Sequence, residues 1–287
     1  MPFVQACPIM AIPTPHPCAP AAPQPPAPLR AHLLRYLAGC LAATLLAALL
    51  ACMLARPAAA ANLQISPVSV QFARGQGAAG ITLQNQGDGA LFGQARVYVW
   101  EQRDGQDVLT PATDLVASPP VMEIAARSSQ TIRLVRRGAA AGGDTAERSY
   151  RILIDELPRG EEAGGVAIRL QYSVPVFVAP AASMPDSTGA APRLAWDVYR
   201  KDGAWMLRVR NDGALHAQIG ATVLRGADGK DLQVSKGLLG YALAGKTREW
   251  RLPVDGALDM GAPGAALAVS ASVNAQPVSA SASVRRE

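Results

Sequence analysis

Residues 166–180 read VAIRLQYSVPVFVAP, and Val166, Ile168, Leu170, Tyr172, Val174, Val176 and Val178 occupy every second position. In an extended chain successive side chains point to opposite faces, so all seven lie on one face of a β-strand. The row is long for a single strand, and Pro175 near its far end has no N–H to give a neighbour. Either the whole row fills the core of its own sheet, as the last strand of a β-sandwich does, or part of it fills a groove elsewhere.

The 287-residue chain changes character at about residue 61. Residues 1–61 hold no Asp, Glu or Lys and only three arginines, at positions 30, 35 and 56. They open with PTPHPCAPAAPQPPAPLR, run without charge from Leu37 to Ala55, and end in ARPAAAAN. A basic flank, an apolar run and a stretch of small residues make a secretory signal, with cleavage expected after Ala60 or Ala61. The apolar run is also long enough to stay as an uncleaved anchor, but it is rich in alanine and AAAA follows at the right distance for cleavage. LAGC at 37–40 has the look of a lipoprotein box, but its apolar run follows the cysteine where it should precede it.

All four cysteines (Cys7, Cys18, Cys40, Cys52) lie in that leader, so the mature chain needs no disulfide and offers no thiol nucleophile. The 27 Lys and Arg less the leader's three leave 24 against 22 Asp and Glu, a net of +2. No nucleic-acid signature is present. His16 and His32 also go with the leader, and His216, after NDGAL, reads as a loop or strand residue. Metal clusters and Ser/His/Asp or Cys/His sets therefore lack their parts, and there is no P-loop or GxGxxG after a strand. The chain is read as a binding protein, not an enzyme, with no cofactor and no metal.

The mature chain is a succession of strands. ISPVSVQFARG, AGITLQNQG, GQARVYVWEQRDG, QTIRLVRRG, RSYRILIDELPRG and VAIRLQYSVPVFVAP are β-branched or alternating runs punctuated by Gly, Asp, Asn and Pro. After a Pro, Ala and Ser linker the pattern restarts with LAWDVYRKDG, AWMLRVRNDG, AQIGATVLRGADGK, KTREWRLPV, ALAVSASVNA and PVSASASVRRE. Only VMEIAARSS at 121–129 has a helical look. The expected fold is all-β: two immunoglobulin-like β-sandwiches at 62–181 and 192–287, joined by a short hinge at 182–191 and preceded by the signal.

The first sandwich resembles the N-terminal domain of the periplasmic pilus-assembly chaperones, the PapD-like family. The resemblance rests on ISPVSVQF, LQNQG, the proline pair Pro119 and Pro120 in ASPPVMEIAARSSQTIRL, RSYRILIDELP, and VAIRLQYSVPVFVAP ending at Pro180. LAWDVYR and MLRVRNDGALHAQI carry it more loosely into the second domain. The short connection PRGEEAGG is similar to the short-loop branch, and a missing cation pair described below to the divergent chaperones of spore-coat-type fimbriae.

The resemblance implies donor-strand complementation. A fimbrial subunit lacks its last strand, and the chaperone lends one of its own, side chains filling the groove and backbone completing the ladder. The positions matching the donor are Val166, Ile168 and Leu170, with Tyr172 next, while Val174 to Val178 serve the chaperone's own core or domain junction. The family also holds the subunit's C-terminal carboxylate with two basic residues, but Ser69 and Pro175 stand at those positions here. If Leu157 lies opposite Val166, then Pro175 faces Arg148 give or take two residues, which makes Arg148 or Arg151 the replacement; the plainer reading is that both are solvated strand residues. Glu156 matches the family's buried glutamate and Arg133 one of its arginine partners near the domain interface, with Ala179 at the other partner position, so the resemblance implies an interface ion pair in place of a triad. The implied partners are fimbrial subunits and an outer-membrane usher, the implied compartment the periplasm, with no membrane contact after signal removal. The competing reading is a secreted structural or adhesive protein of two immunoglobulin-like domains.

Overall fold

The computed structural model describes residues 36, 37, 39–47, 63–138, 145–158, 169–180, 193–254 and 259–286. The cleavage region, the linker at 182–191, and Val166 and Ile168 lie outside the described residues. Near the N-terminus, residues 39–47 are helical and exposed, and among the described residues no helix is long and apolar enough to cross a membrane.

The stretch ISPVSVQF is two strands, not one. Leu63–Ser66 (β1) pairs antiparallel with Ala78–Asn85 (β3), whereas Val70–Phe72 (β2) pairs parallel with Gln171–Val178 (β10) in the facing sheet. The chain switches sheets across Pro67, which cannot continue a ladder. The remaining strands of the first body are Leu91–Arg103 (β4), Gln106–Pro111 (β5), Leu115–Ser118 (β6), Val121–Ile124 (β7), Ser129–Arg136 (β8) and Arg148–Leu157 (β9). One sheet runs β1-β3-β8-β6; the other runs β2-β10-β9-β4-β5, with β7 added alongside β4. The stretch with a helical look holds no helix: it opens with strand β7, whose Met122 and Ile124 turn inward at period two, and then turns into β8.

The two sheets close on an alternating core. Ile81 and Leu83 of β3, Ile132 and Leu134 of β8, Tyr150, Ile152 and Ile154 of β9, and Val174, Val176 and Val178 of β10 are all buried in it. Each such aliphatic side chain contributes about 1.5 to 3 kcal/mol. Asn85 is buried among them and satisfied, its Nδ2 donating to the carbonyl oxygens of Gly89 (2.8 Å) and Ile124 (3.0 Å).

The second body holds Leu194–Lys201 (β11), Ala204–Asn211 (β12), Ala217–Arg225 (β13), Asp231–Gln233 (β14), Leu238–Ala242 (β15), Thr247–Arg251 (β16), Ala266–Val273 (β17) and Gln276–Val284 (β18). They hydrogen-bond in the order β14-β13-β17-β18-β11-β12-β16. β15 pairs with β13 and also touches β12 and β16, so the sheet curls over until its ends meet. Trp196, Val198, Leu207, Val209, Ile219, Leu224, Val269 and Val284 fill the space enclosed. Both bodies are immunoglobulin-like β-sandwiches.

Several sets of contacts hold the bodies together. Trp100, Phe177, Tyr241 and Leu243 form a small apolar cluster of their own at the joint. The buried side chain of Gln102 donates from Nε2 to the Tyr241 carbonyl (2.7 Å) and accepts at Oε1 from the Leu243 N–H (3.0 Å), replacing a strand's hydrogen bonds with its own amide. The β4–β5 turn at Asp104–Gly105, with φ of 51° and 72°, has the doubly left-handed form of a tight hairpin. Its tip seats on β16: Glu249 N–H donates to the Gly105 carbonyl at 2.9 Å, and a Cβ at Gly105 would stand 2.4 Å from Glu249 Cγ. Only glycine fits there.

Candidate functional site

Which edge of β10 is left open is defined by which way its backbone groups point. Glu156 N–H donates to the Leu170 carbonyl (3.1 Å), and the register continues through Gln171 opposite Asp155 to Val178 opposite Arg148. In an antiparallel ladder hydrogen-bonded positions alternate, so the even-numbered residues of β10 bond to β9 and the odd-numbered ones face the other way. On that other side β2 accompanies only Val176–Val178, and Ala179 N–H bonds to the Phe72 carbonyl (3.0 Å) as the alternation requires. Gln171 and Ser173 therefore present backbone N–H and C=O groups with no strand beside them among the described residues. Pro175 is the next odd residue. Its missing N–H ends the open edge where β2 takes over.

The side chains follow the same division. Val174, Val176 and Val178 are buried in the first body's own core. Tyr172 packs half-buried at the margin of that core, and its hydroxyl donates to the Leu63 carbonyl of β1 at 3.2 Å; burial raises its hydroxyl pKa, and the Glu156 charge adds to the rise. Leu170 is half-buried just beyond. The apolar row thus leaves the protein's own core at Tyr172 and runs on toward Leu170.

The register, with Gln171 opposite Asp155, places Pro175 opposite Arg151, three residues from the expected Arg148. Arg148 lies opposite Val178 and is committed elsewhere: its Nη1 is 2.8 Å from Asp114 Oδ2, which also accepts from the Tyr150 hydroxyl at 2.7 Å. Arg151 is different. Its guanidinium lies 3.8 Å from the Trp100 ring centre and 5.5 Å from that of Tyr241, with Ser173 Oγ accepting at 3.3 Å. No carboxylate lies within ion-pair distance of it among the described residues. Burial lowers its pKa below the ordinary arginine range, against the pull of Tyr241 and Asp107. A desolvated cation with unspent donors next to an open edge is what a carboxylate requires.

The remaining expectation for the interface does not match the geometry. Arg133 is an exposed residue of β8, between Gly80 and Ser118, whereas Glu156 sits in the other sheet opposite Gly93. With a sandwich core between their strands the two form no ion pair. Charges that do cross between the bodies are Arg248, 3.5 Å from Asp107, and Glu147, whose Oε2 accepts from the His216 N–H (2.9 Å) and lies 2.6 Å from His216 Nδ1. The imidazole lies flat on Phe177 of β10, ring centres 3.5 Å apart. His216 is therefore a joint residue. Its partners stand far off in the sequence, and nothing in NDGAL announces them.

On the outer face beside the open edge, Asp155 accepts from Gln171 and, at 2.8 Å, from Arg96. Desolvation opposes its ionisation, but these two donors prevail and hold the carboxyl below its usual pKa.

Comparison with known proteins agrees with this architecture. Residues 62–183 match the family described as the pili and flagellar-assembly chaperone, PapD N-terminal domain. No curated protein matches the sequence. Among solved structures, the chain is similar to the CsuC–CsuE chaperone–tip adhesion subunit pre-assembly complex from archaic chaperone-usher Csu pili of Acinetobacter baumannii. The identity there is 23%, the TM-score 0.58, and the match covers 78% of this chain and 99% of that one. It is also similar to the YadV chaperone (18% identity, TM-score 0.55, covering 77% and 99%) and to the Pseudomonas aeruginosa CupB2 chaperone (16%, 0.51, 77% and 100%).

Proposed function

We propose, on the premise that residues 62–183 belong to the PapD N-terminal domain family of pilus-assembly chaperones, that this protein is a periplasmic chaperone for fimbrial subunits. It binds a subunit by lending it the strand that begins at Val166. The subunit's backbone adds along Gln171 and Ser173, and its groove receives Val166, Ile168 and Leu170, each worth about 1.5 to 3 kcal/mol when buried. Tyr172, tied to Leu63, is the shoulder on which the groove stops. The subunit's C-terminal carboxylate meets Arg151, which takes over from the cations missing at Ser69 and Pro175. Complementation covers an edge that would otherwise pair with other chains, and the complex then passes its subunit to an outer-membrane usher.

The observation that carries this reading is the coincidence, at Pro175, of an open strand edge with a half-buried arginine that has no carboxylate partner among the described residues. Co-expression with the small β-rich proteins of neighbouring genes tests it: one should co-purify from the periplasm in a one-to-one complex, and Leu170→Asp should abolish its recovery. Recovery undiminished by that charge in the donor row would rule the mechanism out. A structural or adhesive protein would capture no such subunit.

A further inference from the structure

A carboxylate has two oxygens, and a site that grips it firmly offers more than one donor. With Ser69 and Pro175 standing where the two basic residues of related chaperones would be, Arg151 is left as a single cation. Beside it lies an anomaly. Trp100 is 2% exposed, and its Nε1 is buried with no hydrogen-bond partner among the described residues. Buried indole N–H groups ordinarily find an acceptor, and one that has none calls for an explanation. This orphan belongs to the ring on which the Arg151 guanidinium rests, 3.8 Å from its centre. An acceptor bonded to either group is thus close to the other. Tyr241 closes the second side, edge-on to Trp100 with ring centres 5.3 Å apart, so the pair is held by residues of both domains.

We infer that Trp100 is the second donor of the anchor, its indole N–H binding the subunit's C-terminal carboxylate together with Arg151. The inference rests on the donor-strand reading above and adds a residue to its site. An ion pair alone accepts any anion near the guanidinium. The indole N–H lies in the plane of its ring while the guanidinium lies over the ring's face, so the two approach from different directions and select a carboxylate that can serve both.

A short synthetic peptide of alternating valine and threonine, made once with a free C-terminal carboxylate and once amidated, provides the probe. It is titrated by calorimetry into the mature chain and into Trp100→Phe and Arg151→Ala. Phenylalanine keeps a ring under the guanidinium and removes only the N–H. The wild type should prefer the acid, and Trp100→Phe should cut that preference about tenfold, the loss of one hydrogen bond to a charged group. The wild-type proton–nitrogen NMR spectrum gives a second reading that needs no folded variant: the Trp100 indole resonance should move downfield with the acid and stay in place with the amide. An unmoved resonance, or a preference that Trp100→Phe leaves intact, would mean that water satisfies the indole, and would overturn the inference while Arg151 stands. If Arg151→Ala also keeps the preference, or neither peptide binds, the anchor itself is misplaced and the donor-strand reading falls with it.

Discussion

Pro175 stands directly opposite Arg151 in the β9–β10 ladder, at a position where neither residue contributes a hydrogen bond between the two strands. The proline can occupy this place because its absent N–H points to the edge. The arginine is free to turn its side chain to the outer face and lie on Trp100. Arg151→Ala should therefore leave thermal stability within about 1 kcal/mol of wild type, the worth of a partly exposed cation–π contact, while subunit recovery falls severalfold. Arg151→Lys keeps the charge but not the fork of parallel donors, and should restore recovery only in part. Pull-down yield beside a melting curve for each variant reads both effects.

The division of the apolar row at Tyr172 predicts opposite phenotypes on its two sides. Val176, fully buried, belongs to the protein's own core, and Val176→Ala should cost about 2 kcal/mol of stability through lost burial and a residual cavity. Leu170→Asp should change stability by less than about 0.5 kcal/mol, as half-exposed sites do, and abolish capture. Denaturant titration paired with co-purification distinguishes the two.

Gln102 does the work of a strand across the joint, so its removal should be felt out of proportion to its size. Gln102→Ala leaves the buried Leu243 N–H without its acceptor, at a cost of about 1 to 3 kcal/mol. The expected outcome is a lower melting temperature and a broader scattering profile as the bodies lose their fixed relation. An unchanged profile would shift the weight of the joint to Glu147 and the aromatic cluster.

The lowered pKa of Asp155 links the site's outer face to pH. Its folded value lies below the unfolded one near 3.8, so it contributes stability that is present above about pH 4 and is lost as pH falls through the folded value. Asp155→Asn should flatten that part of the acid limb by removing this contribution at neutral pH, while stability below the folded value stays little changed. Urea midpoints collected from pH 6 downward check this.

Period-two alternation made most of the strands legible in the sequence, and the inward valines of β10 fall where it puts them. Other features depend on pairing, which alternation does not encode. The split of ISPVSVQF into strands of different sheets follows from Pro67 and from what each half meets across the sandwich. The register between β9 and β10, with Gln171 opposite Asp155, differs by three residues from the one expected with Leu157 opposite Val166. That shift is what exchanges Arg148 for Arg151. Trp100, Gln102, Glu147 and Tyr241 were not distinguishable as joint residues, since each looks in isolation like an ordinary strand or turn residue. A family position can also mislead: Arg133 and Glu156 fit the pattern in sequence but stand in opposite sheets.

The central claim is that β10 offers a subunit the edge formed by Gln171 and Ser173. Amide hydrogen exchange of the protein, free and in complex with its co-purified subunit, tests it residue by residue. The account predicts that the Gln171 and Ser173 amides exchange freely in the unbound protein and become strongly protected in the complex, while Val174 and Val176, already bonded to β9, change little. A stable complex in which Gln171 and Ser173 exchange as fast as before would contradict it.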